Sequence, residues 1–179
     1  RNLGTIGGNI CNASPSADSA LPLLTYEAKA LVWNSSGEKE INIEDFFTGP
    51  QMNILETGEI LKGFFIKPNK GIITTYEKLG IRKAMEIAIV NVCVTVKIDD
   101  SKQCSHVCIA LGAVAPTPIR ARKAELILKN QNITAQRIKE AAQAAIGETK
   151  PISDIRASAG YRKEMVGIMV EKTLSNLAG

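Results

Sequence analysis

The residues best suited to chemistry stand at the start of the chain. They run Gly4-Thr5-Ile6-Gly7-Gly8-Asn9-Ile10, followed by Ala13-Ser14-Pro15-Ser16-Ala17-Asp18. Adjacent glycines permit positive φ and gather backbone N–H groups, and without side chains they let a phosphate approach closely. Thr5 and Asn9 add side-chain donors. On spacing alone, Gly7-Gly8 also fits a plain tight turn. The pattern matches neither G-x-G-x-x-G nor G-x-x-x-x-G-K, and Asn12, Pro15 and the serines separate it from any crossover helix. Rossmann and P-loop nucleotide sites are therefore excluded, while a phosphate nest is not.

Other chemistries find little support in residue types. The single histidine, His106, falls on a strand face opposite Val107 with no nucleophile signature beside it, and reads as a surface residue. The four cysteines, Cys11, Cys93, Cys104 and Cys108, form no C-x-x-C pair. With one histidine they offer no familiar metal-ligand spacing, so no metal site is expected. They read as buried free thiols. Cys104 and Cys108 lie on one face of a strand about 13 Å apart, too far to pair. Glu38, Glu40, Glu44 and Asp45 are explained by a charged turn after a strand.

A chain of 179 residues, 45% hydrophobic and 22% charged, suits one domain or two small ones. The net charge of +4 is spread without a basic block, which argues against nucleic acid as a partner. No apolar run approaches the length of a membrane span and the first residues show no basic stretch followed by an apolar block, so a soluble, cytoplasmic protein is expected. A start at Arg1, directly before the glycine-rich stretch, suggests a fragment of a longer chain.

Several elements must position that opening stretch. Residues 1–18 read as a structured loop or tight turns, and Asp18 or Ser19 caps a short helix through Leu24. Strands are expected at 28–33, 40–43 and 59–67, with a helical turn at 45–47. Pro68-Asn69-Lys70-Gly71 is the expected domain boundary. A strand at 72–78 follows, then a hairpin in which Val92, Val94, Val96 and Ile98 share one face with Val107, Ile109 and Leu111 opposite. After Ala115-Pro116-Thr117-Pro118 the period changes to helical. Helices are expected at 120–129, after a Thr134 cap, and from about Ser158, the last with a stripe of Val166, Met169, Val170, Leu174 and Leu177. The order gives an α+β fold, an antiparallel sheet backed by about three helices on one face.

Thr-Ile-Gly-Gly-Asn-Ile followed by Ala-Ser-Pro-Ser-Ala-Asp closely resembles the second FAD loop of the molybdenum hydroxylase flavoproteins, the xanthine dehydrogenase family. The resemblance continues through Glu59-Ile60-Leu61, Tyr76-Glu77-Lys78 and Ala110-Leu111-Gly112-Ala113-Val114-Ala115-Pro116-Thr117-Pro118-Ile119-Arg120-Ala121. It implies that residues 1–70 are the C-terminal part of a PCMH-type FAD-binding domain and residues 71–179 a domain like the C-terminal one of the CO dehydrogenase flavoprotein.

By position, the resemblance implies that Thr5, Ile6, Gly7, Gly8 and Asn9 contact the FAD pyrophosphate. Asn12 and Asp18 would take the ribityl or ribose hydroxyls, a suitable task for an acceptor-only carboxylate. Leu61 would touch the isoalloxazine or adenine environment. Lys78 would lie near the polar edge of the ring, where a cation stabilises the charge of a reduced flavin. The loop at Arg82 could come near the ring. No catalytic residue is implied.

The resemblance further implies a two-loop clamp whose first loop lies outside this chain, so that the chain alone is expected to bind FAD weakly or not at all. It also implies a large molybdenum-cofactor subunit, a small subunit with 2Fe-2S clusters, and electron flow through FAD to NAD or another acceptor, with xanthine dehydrogenase as the first candidate. A subunit-docking domain without cofactor or activity of its own is the alternative.

Overall fold

Thr5 decides the shape of the opening stretch. In this computed structural model, which describes residues 4–82 and 86–178, its hydroxyl accepts from the Gly8 N–H at 3.0 Å and N-caps a short helix, α1 (Ile6–Cys11). Gly7 and Gly8 are not among the glycines with positive φ, which are Gly37, Gly58 and Gly71. The expected turn is thus a helix start, because a threonine cap supplies the helical N–H partner that a left-handed nest would forgo. Among the described residues the left-handed position falls instead on Ala13 (φ 46), just after the helix.

The second helix, α2 (Ala20–Thr25), begins as expected at Ser19, yet Ser19 makes no side-chain cap. Its hydroxyl donates to Asn9 Oδ1 at 2.5 Å, and its N–H reaches the same oxygen at 3.4 Å. The two short helices are thereby tied together. β1 (Lys29–Asn34) and β2 (Gly37–Asn42) form a hairpin, and β5 (Ile60–Phe65) flanks β1 on the other side, all antiparallel. Between them lie a 3-10 turn at Ile43–Asp45, two residues earlier than expected, and the small β3 (Phe47–Gly49) and β4 (Met52–Asn53) pair.

The second sheet is antiparallel with order β6 (Ile73–Leu79), β7 (Val90–Ile98), β8 (Cys104–Gly112) and β9 (Ile119–Arg120). Val92, Val94 and Val96 pack with Ile109, Leu111 and the buried stripes of α3 (Arg122–Leu128), α4 (Ala135–Glu148) and α5 (Ala159–Ala178). Burying each such side chain contributes roughly 1.5–3 kcal/mol, which fixes the register of the whole hairpin. Thr134 caps α4 as its position predicts, accepting from the Arg137 N–H at 3.3 Å.

The sheet is covered on both faces: α2 packs on β7 and β8, so Asn91, Cys93 and Thr95, away from the valine face, are fully buried. Two expectations fail near the hairpin turn. Ile98, read as core, is 37% exposed at the strand end. The register also slips between Lys97 and Ile98, where Lys97 faces His106 and Ile98 faces Cys104. That bulge moves Cys104 into the helix-side core while Cys108 stays on the other side, so the two cysteines do not share a face. Among the described residues no helix is long and apolar enough to cross a membrane.

Candidate functional site

Three elements converge beside the opening helix. Asp18, at the end of the serine-rich loop, accepts from Lys78 Nζ at 2.7 Å and from the Tyr76 hydroxyl at 2.8 Å. Asn91 Nδ2 donates to the Tyr76 oxygen at 3.3 Å and lies 3.5 Å from the same carboxylate. Tyr76 and Lys78 are two apart on β6 and so share a face, and Lys78 pairs with Asn91 in the β6–β7 register. Burial raises the Tyr76 phenol far above its ordinary value, aided by the Asp18 charge, so at neutral pH it remains a donor. Lys78 also donates to the Glu86 carbonyl at 3.0 Å.

The groups expected in the site sort into two sets. Thr5, Gly8, Asn9, Asp18 and Lys78 are joined through the Asn9–Ser19 link and the Asp18 ion pair. Leu61 joins them on the other side: a Cβ on Gly7 would lie 4.0 Å from Leu61 Cδ2, so the bare backbone of the helix start faces that side chain. Ile6 is 59% exposed at the rim. Asn12 closes α1 as its C-cap at the far end of the helix, exposed and apart from the Asp18 group. Arg82 is exposed, with its N–H on Glu86 Oε2 at 2.8 Å, and Lys83 of the same loop lies outside the described residues.

Sequence reasoning did not single out Asn91, Tyr76 or Arg162 as site residues. Asn91 hides in a run of alternating apolar residues, where a lone buried amide was the only signal. Its Oδ1 is buried with no hydrogen-bond partner. A Cβ on Gly112 would fall 2.2 Å from that oxygen and 2.9 Å from Leu21 Cδ1, so only glycine leaves room for it. Arg162, on α5 and 3% exposed, donates to the carbonyls of Ile89 at 2.5 Å and Ala113 at 3.0 Å and pairs with Asp154 at 2.9 Å. Ala113 has φ 62 and its N–H bonds the Pro15 carbonyl at 2.7 Å, so Arg162 buttresses the strand end that seats the serine-rich loop. A cleft of about 350 Å³ opens there, lined by Ser14, Pro15, Ser16, Ala113 and Lys150 among others.

The arrangement suits a large, hydroxyl-rich anionic cofactor. Within α1 the first N–H groups have no intrahelical acceptor. Gly7 and Gly8 put no side chain over them, and Asp18 keeps half its surface in solvent beside a fixed cation.

Residues 74–177 match the model of the CO dehydrogenase flavoprotein C-terminal domain, and residues 1–69 match that of the FAD binding domain in molybdopterin dehydrogenase. The chain belongs to this flavoprotein family of molybdenum hydroxylases. It is 34% identical over 177 residues to the xanthine dehydrogenase FAD-binding subunit of Escherichia coli O157:H7, covering 98% of this chain and 60% of that protein. It is 32% identical to the carbon monoxide dehydrogenase medium chain of Hydrogenophaga pseudoflava, covering 98% and 61%. Its fold superposes on the solved carbon monoxide dehydrogenase of that organism with a TM-score of 0.92 at 34% identity, over 98% of this chain and 61% of the other. The chain thus spans about 60% of the length of the curated relatives it matches.

Proposed function

We propose that this chain forms one wall of the FAD site in a molybdenum hydroxylase of the xanthine dehydrogenase type. FAD, when bound, supplies the step between one-electron carriers and a two-electron acceptor such as NAD. The observation that carries this reading is the seating of the serine-rich loop on the second sheet through Asp18, Tyr76 and Lys78. That contact supports the reading by holding the loop that the family resemblance assigns to the cofactor against the second sheet.

In this reading Thr5, Ile6, Gly7, Gly8 and Asn9 lie along the pyrophosphate, with Asn9 orienting Ser19 and the backbone making the anion contacts. Asn12 and Asp18 meet sugar or ribityl hydroxyls. The Asp18 carboxylate keeps an acceptor position for them beside its three present donors, Lys78, Tyr76 and the long Asn91 contact, since an ionised carboxylate offers about four. Leu61 gives an apolar contact, and Lys78 holds a positive charge near the cofactor without donating a proton to it. Residues 1–70 would serve the flavin and residues 71–179 would serve chiefly to brace it and meet partner subunits.

The partners in this reading are a molybdenum-cofactor subunit and a 2Fe-2S subunit, in the cytoplasm. The test is anaerobic: add a purine or aldehyde substrate to the complex purified with this chain and follow the flavin absorbance. Bleaching that NAD reverses supports the whole reading. Bleaching that only another acceptor reverses removes NAD, and a flavin that no substrate bleaches removes the electron-transfer role.

A further inference from the structure

The fold brings together groups that sequence spacing kept apart. Glu27 ends the α2 segment, while His106 and Cys108 stand two apart on β8, on the side that α2 covers. The His106 Nε2 and Cys108 Sγ atoms are 3.3 Å apart, and both lie within 4.8 Å of a Glu27 carboxylate oxygen. We propose that Glu27, His106 and Cys108 form a site for a zinc-class divalent cation that staples the α2 segment to the second sheet.

The spacing is close to what such an ion needs. Zinc bonds of about 2.0–2.1 Å to nitrogen and 2.3 Å to sulfur, at a tetrahedral angle, put the two atoms roughly 3.5 Å apart. A thiolate, an imidazole and a carboxylate together favour a borderline-soft ion over calcium or magnesium, which take oxygen ligands. Three protein ligands leave a fourth position for water. Glu27 has a 55% exposed side chain, and a cleft of about 350 Å³ that it shares with His106 and Arg120 gives an ion a path in.

The charged groups around the site are paired with one another. Arg120 is held by both oxygens of Glu125, at 2.6 and 2.8 Å, and by Glu27 at 3.1 Å. Arg122 pairs with Glu44 and lies 3.7 Å from Glu125. With Lys129 on the wall of the same cleft, three cations face the three carboxylates of Glu27, Glu44 and Glu125, so these charges cancel. The Cys108 thiolate formed on uptake then adds one negative charge beside the ion. Burial pushes the free thiol up to about 12, so metal uptake releases its proton to solvent as the metal–sulfur bond forms. Glu27 is held at φ 50, an uncommon conformation for glutamate, by its N–H bond to the Leu24 carbonyl at 3.1 Å.

The experiment is a titration of the flavin-free chain, stripped with chelator, with zinc(II) and then cobalt(II). The expected result is one tight equivalent, tetrahedral visible bands for cobalt, a near-ultraviolet thiolate charge-transfer band, and a zinc-dependent rise in Tm. Cys108→Ser should abolish the charge-transfer band. His106→Gln, at a half-buried position, should weaken uptake by more than the roughly 10–100-fold that loss of an outer-shell partner costs. Octahedral cobalt without the sulfur band, no stoichiometric uptake, or equal binding by His106→Gln would overturn the site. Because the readout needs no flavin, it stands or falls apart from the cofactor reading.

Discussion

Two charged networks tie the first thirty residues to the second sheet, and they differ in how much water they see. At one end Lys78 and Asp18 have side chains 20% and 52% exposed; at the other Arg120 and Glu125 are 3% and 7% exposed. The first is a screened pair of the kind worth about 0–1 kcal/mol, and the second is a desolvated pair whose disruption strands a buried charge. The same cation–carboxylate chemistry therefore sits buried in one place and keeps a half-exposed carboxylate in the other.

The largest effect should come from the buried network. Glu125→Ala leaves the Arg120 guanidinium inside and removes the acceptor of the Ile109 N–H, which it now takes at 2.8 Å. Urea unfolding should show a loss of about 3–5 kcal/mol. A loss near that of an exposed pair would erase the distinction between the two networks.

Asp154 lies between these extremes. Burial alone would raise its carboxyl, but bonds from the Arg156 and Ala157 N–H groups and from the Arg162 and Arg156 side chains outweigh that and hold it well below the usual range. The native carboxylate then binds fewer protons than the unfolded one. Its stabilisation is present at neutral pH and is lost as pH falls below the ordinary aspartate value of about 4. Asp154→Asn should cost roughly 1.5–3 kcal/mol at neutral pH and flatten the acid limb of the stability curve, read by thermal melts across pH. An unchanged acid limb would take Asp154 out of the account.

Gly112→Ala tests the packing between the networks. Its Cβ would meet the Asn91 amide oxygen and Leu21, so a cost of about 1–3 kcal/mol is expected from unfolding curves. Adding Asn91→Ala should recover part of it. The smallest stability effect belongs to Asp18→Ala, below about 1 kcal/mol. Its flavin dissociation constant should nonetheless rise about tenfold to a hundredfold, the cost of an unsatisfied hydroxyl pair. A large stability loss with unchanged flavin affinity would reverse the roles assigned to the two networks.

Much of this was legible in residue order, and the losses have physical causes. The valine alternation on β7, the Thr134 cap and the apolar stripe of α5 are local patterns, and each element formed where its pattern stood. Gly7-Gly8 misled because glycine permits a left-handed turn but does not demand one, and Thr5 supplied a helical alternative. Thr95, Cys93 and Asn91 are buried because α2 arrives from some seventy residues earlier to cover them, which no local pattern on β7 announces. The bulge that parts Cys104 from Cys108, and the gathering of Glu27 with His106, are likewise long-range consequences that no local period encodes. Family resemblance named Asp18 and Lys78; only the fold showed that they grip each other.

The central claim is that these residues form a flavin wall. Its most direct measurement is flavin content, by absorbance after gel filtration, of this chain joined to the portion of the Hydrogenophaga pseudoflava medium chain that it does not cover. The account predicts a yellow protein with close to one FAD per chain, reduced in the Asp18→Ala version. A folded, colourless chimera, or one whose flavin content ignores Asp18, would contradict it.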